Sequence, residues 1–143
     1  MSALSAVKNA KECLAAPGEM RVLKIHQFVE DFDAHDDELQ DELAAEFRAA
    51  FDTCLRSLQS EFGSARLMDV GDESEGEDAI ELAFSLVPGP VRLALWELPA
   101  GVLYVAVSHQ DREEPIVLLI GTADKPSGAL RRLAKSRARK RRR

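Results

Sequence analysis

Apolar side chains recur every three to four residues over much of the first half of the chain, a spacing that predicts amphipathic helices. The strongest such pattern covers residues 36–62. Its apolar stripe consists of Leu39, Leu43, Phe47, Ala50, Phe51, Cys54, Leu55, Leu58 and Phe62. Acidic residues are concentrated at its start and Gly63 follows its end, as expected from the helix dipole and from a glycine stop. We therefore predict one long helix over 36–62.

Two weaker patterns precede it. Residues 3–15 have helical spacing behind Ser2 as a possible N-cap, and Pro17 and Gly18 end the pattern. The next stretch is ambiguous. Its residues 20–25 fit a strand, whereas the spacing of its apolar residues from Ile25 to Phe32 fits a helix. We favour a helix over 19–33.

After Gly63 the apolar period changes to two, which indicates strands. We predict them over 64–70, 79–87, 91–98, 102–109 and 116–121. In the second of these, alternation places four side chains on the core face: Ile80, Leu82, Phe84 and Leu86. The connectors 88–90 and 99–101 contain Pro and Gly and favour consecutive antiparallel hairpins. The acidic segment 71–78 is predicted to be a solvated loop.

These elements predict an α+β fold. N-terminal helices pack on a mostly antiparallel meander sheet of four or five strands, and a basic C-terminal tail follows. The 143 residues suffice for one core, and a composition of 45% hydrophobic and 31% charged residues is that of a globular protein. The two cysteines, Cys13 and Cys54, lie in helical patterns without CxxC spacing, so we interpret them as buried free thiols, with a disulfide as the alternative.

Charge divides the chain into two parts. Residues 1–123 carry 9 Lys and Arg against 24 Asp and Glu, and residues 124–143 carry 10 against 1. A body near −15 therefore adjoins a tail near +9, and the overall charge of −6 hides the difference. We predict a single acidic domain over 1–123 and a basic, partly disordered tail over 124–143.

Acidic residues at the start of the long helix predict a surface for a basic protein partner, with a merely solvated helix face as the alternative. Trp96 has two open interpretations, a partly exposed partner contact or a residue that closes the core edge. The candidate partner-binding residues are Asp36, Asp37, Glu38, Asp41, Glu42 and Trp96.

The tail predicts contact with a polyanion, because clustered cations neutralise phosphates and release counterions without reading bases. The candidate residues are Arg131, Arg132, Lys135, Arg137, Arg139, Lys140, Arg141, Arg142 and Arg143. A solubility role, or pairing of the tail with the acidic body, is the alternative. Nucleic acid is therefore one candidate partner that the composition of the tail indicates.

Motifs for catalysis or cofactors are not found. His26, His35 and His109 stand near carboxylates, but no HExxH, CxxC, GxSxG or GxGxxG pattern accompanies them. We predict no catalytic, metal or cofactor-binding residues and no cofactor. Whether the chain is an enzyme stays open, and the lack of catalytic motifs favours a protein that is not one.

An alternative function comes from a resemblance to a known family. The segments IELAF, VRLALW, GVLYVAVSHQ and IVLLIGTADK, followed by an Arg-rich end, resemble the strand order and tail of RelE-type toxins, which are small helix-plus-sheet ribonucleases. The resemblance covers about 45 residues from Ile80 onward and implies a ribonuclease, with no residue role carried over.

The sequence therefore favours a non-enzymatic binding or accessory protein of bacterial type, resembling immunity, inhibitor or chaperone proteins in its mode of action. Its acidic body would engage a protein partner and its tail a polyanion. The longest apolar runs are far shorter than the ~20 residues that span a bilayer, and the N-terminus lacks a hydrophobic signal core. We expect no membrane association and a cytoplasmic location, and a homodimer is possible.

Overall fold

The computed structural model describes residues 3–16, 18–28, 31–70, 76–99 and 101–123. Within these ranges the chain forms four helices and five strands. In chain order they are α1 (Ala3–Ala15), β1 (Met20–His26), α2 (Asp31–Ala34), α3 (Asp37–Phe62), β2 (Arg66–Asp69), α4 (Gly76–Leu86), β3 (Pro90–Leu98), β4 (Gly101–Ser108) and β5 (Ile116–Ala123). The predicted α+β class is confirmed.

The strands form one antiparallel sheet in the order β1-β5-β4-β3-β2. Strands β3, β4 and β5 are the predicted meander. The early strands β1 and β2 add to its two sides, so that β4 lies at the centre. Every residue of β4 is buried, because both faces of the sheet are covered there.

Alternating residues of the sheet build two separate cores. On one face, α1 and α3 cover a core that includes Leu103, Val105 and Ile120. On the opposite face, α4 covers a second core that includes Leu93 and Leu119. The N-terminal helices therefore pack on one face, as predicted, and α4 adds a layer that the sequence analysis did not expect.

The long helix is confirmed. Asp36 caps its start, where its carboxylate accepts hydrogen bonds from the backbone N–H groups of Glu38 (3.0 Å) and Leu39 (3.2 Å). Five residues of the predicted stripe are buried: Leu43, Phe47, Phe51, Cys54 and Leu58. The two thiols are free and buried, as interpreted, and burial raises the pKa of both Cys13 and Cys54.

The helix predicted over 19–33 is wrong. Residues 20–26 form strand β1, which pairs with β5, and of the described residues in this range only the one turn of α2 is helical. The pairing joins Met20 to Gly121 and His26 to Ile116, so the two strands are separated by most of the length of the chain. Such a partner, remote in sequence, overrides the local apolar spacing that favoured a helix.

The strand predicted over 79–87 is also wrong, because Gly76–Leu86 is helix α4. Ala79 and Leu82 belong to the second core and Ala83 is buried as well, at helical spacing, whereas Phe84 is 56% exposed. Glu77 in the first turn favours the helix through its dipole. The connector 88–90 therefore joins a helix to a strand. The acidic loop predicted over 71–78 is helical from Gly76 onward, and its residues 71–75 lie outside the described ranges.

Candidate functional site

The loop between β4 and β5, residues 109–115, docks on the junction between α2 and α3. Arg112 makes the contact: its Nε donates to the carbonyl of Ala34 (2.8 Å), and its guanidinium also pairs with Asp37. Gln40 contacts both α2 and the loop, since its amide donates to the carbonyls of Ala34 (2.8 Å) and Arg112 (3.1 Å). His35 lies 3.0 Å from a carboxylate oxygen of Glu113. Two segments distant in sequence thus become one surface.

The joined segments carry a concentration of exposed carboxylates. We call this set the acidic surface, and it consists of Asp36, Asp37, Glu38, Asp41, Glu42, Asp111 and Glu113. Asp37, Asp41 and Asp111 line one shallow depression, together with Arg112 and His109. The structure therefore brings five predicted partner-binding acids together and adds two from the loop.

Arg112 compensates only part of this charge. Its hydrogen bond and its positive charge hold the pKa of Asp37 below the ordinary value, although the Asp37 side chain is 87% exposed. The other acids of the α3 start project into solvent at the positive end of the helix dipole. The acidic surface thus presents a net negative charge to solvent.

Beside the acidic surface lies a cavity of about 190 Å³ between α3 and the sheet, which we call the cleft. Gln40 and His109 border both the cleft and the acidic depression, so the two are continuous. The lining of the cleft consists of Gln40, Ala44, Phe47, Arg48, Asp69, Val91, Arg92, Val107, His109 and Ile116. Its walls are mainly apolar, with two arginines and one histidine among them.

Arg92 is the most enclosed charge of the cleft. Its guanidinium lies 3.1 Å from Asp69, 3.8 Å from Asp52 and 5.3 Å from the centre of the Phe51 ring. Its side chain is 12% exposed, and its Nε is buried without a hydrogen-bond partner among the described residues. The two acids neutralise Arg92, and one of its N–H donors remains unused.

His109 stands where the cleft meets the acidic depression. Its backbone N–H donates to the carbonyl of Gly89 (2.8 Å), and its ring stacks on Phe28 at 6.2 Å between centroids. A Cβ at Gly89 would lie 2.5 Å from the Cα of Gln110, so only glycine allows this approach. The Nε2 of His109 is buried and, within the described part of the chain, has no partner.

Of the two interpretations of Trp96, the structure supports the one that places it in the core. The residue is 2% exposed in the first core, and its indole N–H donates to the carbonyl of Gly63 (2.8 Å). Alternation along β3 turns it toward α3. A partner that leaves the fold unchanged would therefore not touch the indole. The polyanion-binding candidates of the tail, Arg131 to Arg143, lie outside the described residues.

The described side chains show little that resembles a reaction centre. Ser108 is buried and its hydroxyl donates to the carbonyl of Pro88. No group of three His, Cys, Asp or Glu side chains suited to a metal ion occurs in the described ranges. Chemically, a surface of exposed carboxylates can attract cations, and an apolar cleft can hold apolar groups.

Comparisons with models of known protein families, with curated proteins and with solved structures find no match to this chain. The RelE-type resemblance also loses the first of its strands, because IELAF lies in α4. Among the described helices, none combines the length and the hydrophobicity that a bilayer span requires.

Sequence reasoning missed the residues that the β4–β5 loop adds, namely His109, Asp111, Arg112 and Glu113. A signal for them was present, since the run HQDREE is strongly polar and interrupts two apolar strands. The sequence analysis notes His109 beside carboxylates and predicts neither a metal site nor a catalytic group there. Their contact with the α3 start depends on tertiary structure.

Proposed function

We propose that this chain is a non-enzymatic binding protein whose acidic surface engages a basic segment of a protein partner. The observation that carries the proposal is the docking of the β4–β5 loop on the α3 start. It places Asp111 and Glu113 beside five exposed acids of the other segment. Opposite charge on a partner would steer encounter and orient the complex.

The basic tail gives the proposal its second part. Residues 124–143 carry 10 Lys and Arg against one acid, so they suit a nucleic acid or another polyanion. Such binding would be independent of base sequence and sensitive to salt. The acidic surface and the tail would then bind partners of opposite charge.

A pulldown from native lysate tests both parts. Full-length protein and a form ending at Lys125 are compared, each with and without nuclease. We expect a discrete protein to be recovered with both forms. Nuclease-sensitive material should be recovered only with the full chain.

A matched pair of triple variants locates the protein contact. Glu38→Gln, Asp41→Asn and Glu42→Gln neutralise the acidic surface at exposed positions, and Glu77→Gln, Glu81→Gln and Glu97→Gln remove the same charge from exposed positions elsewhere. The first set should abolish recovery of the protein and the second should retain it. Equal recovery with both sets would reject the acidic surface as the contact.

A further inference from the structure

We propose that the cleft receives one apolar side chain of the protein partner, and that the basic residues of the partner adjoin this side chain in its sequence. We call that side chain the anchor. The inference rests on the proposed function and deepens it, because it adds a shape to the charge that the partner must have.

The cleft has an apolar lining that is accessible from solvent. Phe47, Val107 and Ile116 line it and are almost fully buried. Val91, which also lines it, is 46% exposed, and the neighbouring Ala44 is exposed as well. Exposed apolar surface within a concave site favours the burial of an apolar group from a partner.

The volume of the cleft limits the anchor to one side chain. It is about 190 Å³, and an apolar cavity of about 150 Å³ in a protein interior accommodates benzene. The side chain of phenylalanine, leucine or methionine therefore fits, whereas a longer apolar stretch does not. Binding energy at protein interfaces is concentrated in a few such anchors, which lie in pockets that exclude water.

The adjoining acids determine where the cations of the partner lie. Gln40 and His109 border both the cleft and the acidic depression, which also includes Asp41 and Asp111. Asp41 is exposed and forms no ion pair with a described residue. A lysine or arginine next to the anchor would therefore meet an uncompensated carboxylate beside the cleft.

The other end of the cleft has the opposite charge. Arg48 lies further along α3 than Asp41, by about 10 Å at the rise of an α-helix, and it is exposed. Arg92, the second arginine of the lining, is neutralised by Asp69 at 3.1 Å and Asp52 at 3.8 Å. The cations of the partner therefore belong on one side of the anchor, since a cation on the other side would meet Arg48.

The test titrates full-length protein at low salt with three peptides whose ends are blocked, and calorimetry and protein NMR measure binding. The first peptide has three lysines followed by phenylalanine, the second has serine in place of phenylalanine, and the third has glutamates in place of the lysines. We expect the first to bind at least roughly tenfold more tightly than the second, because its ring is buried, and the third not to bind. Equal binding of the first two would overturn the inference and leave the proposed function standing. Absence of binding by both lysine peptides would overturn both.

A matched pair of variants on α3 assigns the anchor to the cleft. Ala44→Phe places a ring at the lining of the cleft, whereas Ala45→Phe places it at an exposed position outside the lining. The first variant should lose the difference in affinity between the phenylalanine and serine peptides, and the second should retain it. An equal difference in both variants would place the anchor outside the cleft, and thermal melts verify that each variant is folded.

The tail of the chain has the same chemistry as the proposed partner, since Leu130 and Leu133 stand among Arg131, Arg132 and Lys135. A full-length variant with Leu130→Ser and Leu133→Ser separates the two occupants. We expect it to bind the phenylalanine peptide as tightly as the unchanged protein does. Tighter binding would assign the cleft to the chain's own tail and overturn the proposal.

Discussion

Arg112 joins the parts of the acidic surface through one side chain. It donates to Ala34, pairs with Asp37, and its own carbonyl accepts a hydrogen bond from Gln40. These contacts lie on the solvent-exposed side of the molecule, where ion pairs contribute little to stability. The main effect of Arg112 is therefore on position, since its contacts determine where the loop acids lie relative to the start of α3.

The first prediction concerns Asp37. We expect its pKa in the folded protein to lie below the ordinary value, because Arg112 stabilises the charged carboxylate. The folded-state pKa is lowered, so the contribution of the pair is present above the ordinary Asp pKa and is lost as pH falls through the folded value. A carboxyl-detected NMR titration measures this shift.

Arg112→Gln should return the Asp37 pKa toward its ordinary value. Glu46 is the internal control, since its pKa is lowered by Lys24 at 2.8 Å and should stay lowered in the variant. An unchanged Asp37 titration in the variant would contradict the assigned pairing.

At the same scale, sequence reasoning identified the acids of α3 but left two interpretations of Trp96 open. The acids form a cluster along the chain, and clustering at a helix start leaves them exposed. The strand containing Trp96 has apolar residues on both faces, so alternation alone does not show which face is buried deeper. Only the position of β3 under α3 and α4 answers that question, and it buries both faces.

Among the elements, α3 was predictable and β1 and α4 were not. The stripe of α3 continues over seven turns, and its cap and stop are local signals. In α4, Ile80, Leu82, Phe84 and Leu86 alternate as in a strand, while Ala79, Leu82 and Ala83 also fit a helix. Small alanines are a weak signal beside large alternating residues, yet the structure buries Ala79 and Ala83 and leaves Phe84 exposed.

The packing of α3 is tested by a prediction for Phe51. Its side chain is 0% exposed in the first core, beneath the Arg92 guanidinium. Phe51→Ala should lower the free energy of unfolding by about 3 to 5 kcal/mol, because it leaves a cavity as well as removing apolar contact. Urea unfolding measures the loss.

Gln59→Ala on the same helix is the comparison, since Gln59 is exposed. It should change stability by no more than about 0.5 kcal/mol. A loss below about 1 kcal/mol for Phe51→Ala would be inconsistent with the packing of α3 on the sheet.

For the molecule as a whole, the described fold lies within the acidic part of the chain, on one side of the division of charge. The two cores and the five strands of the sheet use residues up to Ala123, and the excess of basic residues begins after it. The fold class could be predicted because the apolar periods change from helical to alternating along the chain. The sheet order could not be predicted, because β1 and β2 pair with strands that their own residues do not specify.

Removal of residues 126–143 tests this division. We expect the shortened chain to unfold cooperatively at a midpoint close to that of the full chain, since the described core residues remain. Thermal unfolding followed by circular dichroism gives the midpoint and the steepness of the transition. A broad, non-cooperative transition in the shortened chain would mean that the tail belongs to the fold.

The sheet order also determines when the domain can be completed during synthesis. Strand β1 pairs with β5, and about 90 residues separate His26 from its partner Ile116. At translation rates of roughly 5 to 20 residues per second, β1 waits roughly 5 to 20 seconds for its partner to be made. During that time its Met20, Val22 and Ile25 are held by no neighbouring strand, and each remains about half exposed even in the finished sheet. Among the described strands, β1 therefore waits longest for its partner, and the synthesis of β5 is the step that completes the sheet.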